Sequence, residues 1–219
     1  MPTDDRSHRD LSHPLDSGTW TYPGDPLVSF EPHATVQADG FRVSRLALGT
    51  HAGTHLDAPS HTEPDGATVD EIPVEWFAFD AVLARIDGAV AREPIDPGRL
   101  PAVPDDADCL VLDTGWAAHW DTDRYADHPY LTGEAAAWCA DRGLSVAIDA
   151  PSVDPSPSEN AGDDEPDGHP AHHALLGDGL VIVENLANLA GLPERFELRA
   201  YPLPIVGGDG SPVRAVAEW

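Results

Sequence analysis

The sequence predicts an α+β domain with a mixed β-sheet core, for three reasons. Apolar extended runs recur at 41–48, 80–87, 109–112, 144–148 and 181–183, whereas helical patterns are few and short. Residues 109–112, 134–142 and 144–148 succeed one another as strand, helix and strand, the order of a parallel crossover. No repeat or heptad interrupts the pattern, and 219 residues suffice for one sizeable core, so a single domain over 1–219 is expected.

Taken in order, residues 1–9 are polar and expected to fray. Tyr22-Pro-Gly-Asp-Pro26 forces a turn between short extended pieces, and 28–30 and 34–36 read as strand edges. Residues 41–48 form a strand whose apolar phase slips between Val43 and Leu46, the signature of a bulge. Residues 72–79 read as a helical turn, and 80–87 and 109–112 as buried strands. Thr132 caps a helix over 134–142 that Gly143 closes. Residues 151–170, rich in Pro, Ser, Asp and Gly, read as a long exposed loop, mobile or acting as a lid. A short helix over 172–176, a strand over 181–183 and a final strand over 198–205, interrupted by Pro202 and Pro204, complete the chain.

The charge is lopsided: 39 acidic residues face 12 basic ones, every one of them Arg, for a formal net charge of −27. Such an excess repels nucleic-acid backbones and anionic membranes, so neither is expected as a partner. Carboxylates that repel one another destabilise a compact state unless salt screens them, which points to a halophile, an archaeon, with a salt-loaded cytoplasm. Most Asp and Glu are therefore expected on the surface. Cys109 and Cys139 stand in apolar contexts without a metal-type spacing and read as buried thiols. With no signal segment and no apolar run of membrane-spanning length, a soluble, cytoplasmic protein is expected.

The chemistry concentrates in Gly49-Thr-His-Ala-Gly-Thr-His-Leu-Asp-Ala-Pro-Ser-His61, a spacing of H-x3-H-x-D-x3-H. One His in such a place is more often a hydrogen-bonded structural residue. Here His51, His55 and Asp57 are all types that bind a divalent ion, and the small residues between them let the backbone aim several side chains at one point. His61 follows closely enough to reach whatever an ion would activate. A helical zinc-protease motif is excluded, because Ala52 stands where that motif needs Glu, and Gly53 and Pro59 oppose a helix. A second group follows the long loop: His172 or His173 on a helical turn, and Glu184 at the end of an otherwise apolar strand.

The string His51-Ala-Gly-Thr-His-Leu-Asp-Ala-Pro-Ser-His61 resembles the signature of the cyclase family that includes bacterial kynurenine formamidase and isatin hydrolase. The resemblance extends through Asp10-Leu-Ser-His-Pro-Leu15, Tyr22-Pro-Gly-Asp-Pro26, Thr114-Gly-Trp116, Asp149-Ala-Pro-Ser-Val-Asp154, Pro170-Ala-His-His-Ala-Leu-Leu176 and Glu184-Asn-Leu186. It implies a swivelling β/β/α fold and a metal-dependent amidohydrolase acting on a non-peptide carbon–nitrogen bond. It also implies His51, His55 and Asp57 as ligands of a first metal, His61 as the catalytic His, and His172 with Glu184 at a second metal position that Asp57 bridges. One or two zinc ions are implied, or manganese, and a homodimer or higher homo-oligomer. His172 matches the family better than His173, and residues 157–168 match nothing in it.

The expected substrate is a small amide, formamide or lactam: an arylformamide such as N-formylkynurenine, or a cyclic amide such as isatin. Trp20, Tyr22 and Trp116, or Trp76, are the candidate aromatic walls, set against the commoner role of such residues in packing. Two alternatives use the same residues. One is cyclase or lyase chemistry on a polyketide-like substrate, which would consume no water. The other is a metal-stabilised binding module without catalysis, disfavoured by a cluster that lacks Cys and leaves His61 over.

Overall fold

The computed structural model describes residues 7–219. Among the described residues there are thirteen strands: β1 (His8–Asp10), β2 (Ser29–Ala34), β3 (Val43–Ala47), β4 (His55–Asp57), β5 (Ala78–Arg85), β6 (Pro94–Ile95), β7 (Cys109–Asp113), β8 (Tyr130–Leu131), β9 (Ser145–Ile148), β10 (Ile182–Glu184), β11 (Arg195–Arg199), β12 (Gly210–Pro212) and β13 (Val216–Glu218). The helices are α1 (Val36–Asp39), α2 (Gly133–Ala140) and α3 (Pro170–Gly177). Nine strands make one sheet in the order β1-β13-β11-β5-β7-β9-β10-β4-β12. Its centre, β5-β7-β9-β10, is parallel, and the flanking pairs are antiparallel, so the sheet is mixed as expected.

The parallel strands are buried on both faces because alternate side chains feed two separate cores. Leu110 and Leu112 of β7 and Val146 and Ile148 of β9 point to one core, closed by Ala135, Ala136 and Cys139 of α2 and Leu175 and Leu176 of α3. Cys109 and Val111 of β7 and Ala147 of β9 point to the other. Strands from opposite parts of the sheet, β4 through Leu56 and β13 through Ala217, meet in that second core. The sheet must therefore curl towards that face. Each fully buried Leu or Ile contributes about 1.5–3 kcal/mol. Both cysteines are free and buried, as their contexts suggested. The Thr132 hydroxyl accepts from the Ala135 amide (3.1 Å) and caps α2.

Four local expectations change. Residues 1–6 of the segment expected to fray lie outside the described residues, whereas His8–Asp10 form β1, paired antiparallel to β13. The strand expected over 41–48 forms, but in a two-stranded ribbon with β2 whose side chains stay exposed rather than in the main sheet. The strand expected over 198–205 lies earlier, at β11, and residues beyond 205 add β12 and β13, since the two prolines cannot donate to a ladder.

The fourth concerns 151–170. Pro151–Asp154 and Ser156 are buried rather than exposed. The buried His128 Nε2 lies 2.7 Å from Ser156 Oγ, and Asn160 Nδ2 donates to Asp127 (2.8 Å). Arg92 Nε donates to Glu165 (2.8 Å), and its Nη1 reaches the Ser156 carbonyl (2.8 Å). The segment is thus tied down by polar anchors that composition alone does not reveal. Arg92→Ala should speed limited proteolysis within 157–168 while leaving the thermal melt of the sheet little changed; an unaltered cleavage rate would show that Arg92 does not hold the segment.

Candidate active site

Two strands and their register create the site. In β4, alternation sends Leu56 into the core and His55 and Asp57 to the opposite face. Strand β10 runs antiparallel beside it with Glu184 directly opposite His55, which puts both on that same face. Helix α3 brings His172 over them, and His51 enters from the loop before β4. His55 Nε2 lies 3.2 Å from Asp57 Oδ1 and 3.5 Å from Glu184 Oε2. His51 Nδ1 is 2.6 Å from Asp57 Oδ1. His172 Nε2 is 3.7 Å from Asp57 Oδ2 and 3.5 Å from Glu184 Oε1. Among the described residues four three-residue groups could hold a cation, and two of them, His51/His55/Asp57 and Asp57/His172/Glu184, share Asp57, the others being His51/His61/Asp209 and Asp154/His169/His172.

The donors around this centre fit a divalent ion. Asp57 is 1 % exposed, and its Oδ2 is buried without a hydrogen-bond partner. Burying a carboxylate costs on the order of several kcal/mol unless positive charge or donors compensate it, so that oxygen calls for a cation. Three imidazoles and two carboxylates are the nitrogen and oxygen set that zinc and manganese both accept.

Each inward imidazole is oriented through its outer nitrogen. His55 Nδ1–H donates to the Gly53 carbonyl (2.8 Å), which also accepts from Asn185 Nδ2 (2.9 Å). The Tyr125 hydroxyl in turn holds Asn185 Oδ1 (2.8 Å). His172 Nδ1–H donates to Asp154 (2.7 Å), whose carboxylate also caps the Ala171 and His172 amides (both 2.9 Å). His51 Nε2–H donates to Asp209 Oδ2 (2.9 Å). Such bonds fix which nitrogen faces a metal.

The electrostatics show a shortage of positive charge. Burial pushes His51 down, but the Asp57 and Asp209 carboxylates override it and raise it to about 9. Burial likewise opposes ionisation of His172, yet its hydrogen bond to Asp154 and the neighbouring Asp57 and Glu184 carboxylates raise it to about 10. His55 is raised well above the usual imidazole value by Asp57 and Glu184 against its burial. His61 goes the other way: burial, and then the neighbouring His51 and His172, hold it below its ordinary value.

The cavity over this centre has a volume of about 220 Å³. Trp20, Tyr22, His61 and His169 are among the residues that line it. Burial raises the Tyr22 phenol to about 12, so it stays neutral. Trp116, expected as a third aromatic wall, is instead in the core at 2 % exposure, with its indole N–H donated to the Tyr125 carbonyl (3.0 Å). The exposed Trp76 lines a different groove. Helix phase separates the adjacent histidines: His172 is buried facing Asp57, whereas His173 is exposed and pairs with Glu63 (2.7 Å).

Sequence reasoning passed over Asp154, Asn185 and Asp209. Asp154 and Asn185 lie within strings already singled out, but their roles depend on contacts made across the fold. Asp209 had only a faint signal, a lone carboxylate among Gly207, Gly208 and Gly210.

Two outcomes follow. Because His51 and His172 carry protons at neutral pH in the metal-free state, a metal must displace them, and its apparent affinity should rise as pH increases from 6 towards 9. A zinc titration at several pH values checks the slope; a pH-independent affinity would contradict it. Asp154→Ala should weaken zinc binding by roughly 10–100-fold, measured by the affinity and stoichiometry of a zinc titration.

The family model of the putative cyclases matches residues 9–155. The kynurenine formamidase of Salinibacter ruber is 36 % identical over 212 residues, covering 94 % of this chain and 95 % of that protein. Isatin hydrolase A from Labrenzia aggregata, in a structure bound to benzyl benzoate, superposes with a TM-score of 0.85 at 26 % identity, covering 97 % of this chain and 93 % of the other. A structure described as a potential metal-dependent hydrolase with cyclase activity superposes with a TM-score of 0.76 at 27 % identity, covering 97 % and 98 %.

Proposed function

The chain belongs to the putative cyclase family, and from that premise we propose that it is a metal-dependent hydrolase of a non-peptide carbon–nitrogen bond. The substrate class is an arylformamide such as N-formylkynurenine, cleaved to kynurenine and formate, or a cyclic amide such as isatin. The observation that carries this reading is the convergence of His51, His55, Asp57, His172 and Glu184 beneath an open cavity, with the buried Asp57 Oδ2 lacking a partner. The Salinibacter formamidase and the isatin hydrolase support the substrate class.

His51, His55 and Asp57 would hold a first divalent ion, and Asp57, His172 and Glu184 a second; zinc is the first choice and manganese the second. Such an ion acidifies water and polarises a carbonyl. His61 lines the cavity beside His51, ring centroids 4.0 Å apart. Its burial favours the neutral ring, whose lone pair takes the proton of the attacking water and returns it to the leaving nitrogen. Trp20 and Tyr22 offer faces against which a flat aromatic substrate stacks.

We also assign the β2–β3 ribbon to an interface between two copies, giving a homodimer. Phe30, Phe41, Val43 and Leu46 are exposed there, and an isolated two-stranded ribbon is marginal in water. No helix among the described residues is long and apolar enough to cross a membrane. A salt-loaded cytoplasm suits the acidic surface.

The test is elemental analysis of protein purified in high salt without chelator, with hydrolysis of N-formylkynurenine and isatin followed before and after metal removal. Metal should be present, its removal should abolish turnover, and zinc or manganese should restore it; protein that neither contains nor takes up metal overturns the reading. His61→Ala should retain metal and lose roughly 10²–10⁴-fold in kcat. Unchanged turnover would remove His61 from the mechanism.

A further inference from the structure

Asp209 approaches the site from a part of the chain far from every motif that forms it. Its Oδ2 lies 2.9 Å from His51 Nε2 and 3.4 Å from His61 Nδ1, so one oxygen with two lone pairs faces two imidazole N–H groups. We propose that Asp209 is a positioning residue that orients His51 and His61 together, coupling a metal-facing imidazole to the one that moves the proton. The His61 half of this inference rests on the hydrolase reading; the His51 half does not.

An imidazole anchored by one N–H presents its other nitrogen in a fixed direction. With Nε2–H on Asp209, His51 turns Nδ1 to Asp57 Oδ1 at 2.6 Å. With Nδ1–H on the same oxygen, His61 leaves Nε2 for the cavity that its ring lines. The two rings are tilted by 40° at a centroid separation of 4.0 Å, close enough that rotation of one disturbs the other. His55 and His172 are held by separate anchors, Gly53 and Asp154. Asp209 reaches both a ligand-type histidine and His61.

The backbone that carries Asp209 is itself fixed to the site. Its carbonyl accepts from the Ala58 amide (2.9 Å), and the next residue, Gly210, pairs directly opposite Asp57. A side chain at 210 is impossible without movement, since a Cβ there would lie 2.7 Å from His51 Cε1 and 2.8 Å from the Leu56 carbonyl oxygen. Gly210 lets β12 press against the His51 ring, and that approach delivers the preceding carboxylate to both imidazoles.

The experiment compares Asp209→Asn and Asp209→Ala, each alone and with His61→Ala, using zinc titration of the metal-free proteins and kcat at saturating zinc. Asp209 is half-exposed, and thermal melts of the metal-free variants identify those that fold; Asn preserves shape where Ala does not. Zinc affinity should fall roughly 10–100-fold with Asp209→Ala, and kcat should fall in the parent protein but not further on the His61→Ala background. Unchanged zinc affinity in a folded variant, or an equal fold-loss of kcat in both backgrounds, overturns the proposal. If the parent protein hydrolyses neither N-formylkynurenine nor isatin, the functional reading fails on its own, and the zinc titration still decides whether Asp209 holds His51.

Discussion

A carboxylate buried among imidazoles is the constraint on which the centre of this protein depends. Asp57 is inaccessible to water, one of its oxygens is flanked by His51 and His55, and the other has no hydrogen-bond partner. Leaving that charge uncompensated would cost more than most single interactions in a fold can return. The surrounding structure is accordingly a set of devices for holding positive groups around it, and the raised values of His51, His55 and His172 are the electrostatic consequence.

Those devices come from distant parts of the chain because a three-residue strand cannot enclose a charge alone. Strand β4 supplies His55 and Asp57, its two neighbours β10 and β12 deliver Glu184 and Asp209, and helix α3 adds His172. The parallel centre of the sheet, buried on both faces, gives these elements a rigid base. Behind the inward side chains, Gly53, Asp154, Asn185 and Asp209 occupy outer nitrogens or hold the groups that do. Rigidity matters for the proposed chemistry, since proton transfer and carbonyl activation both demand fixed directions.

The acidic composition acts on a different scale. The excess charge lies mainly at the surface, whereas two carboxylates buried behind the centre have hydrogen-bond partners: Asp149 accepts from the Thr114 amide and hydroxyl, and Asp154 from α3 and His172. Asp149 still shows the strain of burial, which raises it to about 6 against those hydrogen bonds. Counting acidic residues therefore says much about solvent and little about which carboxylates do chemistry.

The sequence by itself determined what local spacing can encode. Double-sided apolar runs in β5, β7 and β9 made the mixed sheet legible, and the density of His and Asp between 51 and 61 marked the centre, although that stretch read as a loop and its residues 55–57 form β4. Tertiary structure decided whatever depends on a partner remote in sequence. Helix phase against β4 separated His172 from His173, core packing withdrew Trp116 from the cavity, and polar anchors fixed a segment whose composition suggested a loose loop. Asp209 became visible only when β12 paired with β4, because a hydrogen bond between residues more than a hundred positions apart leaves no periodicity in the chain, only a distance in the fold.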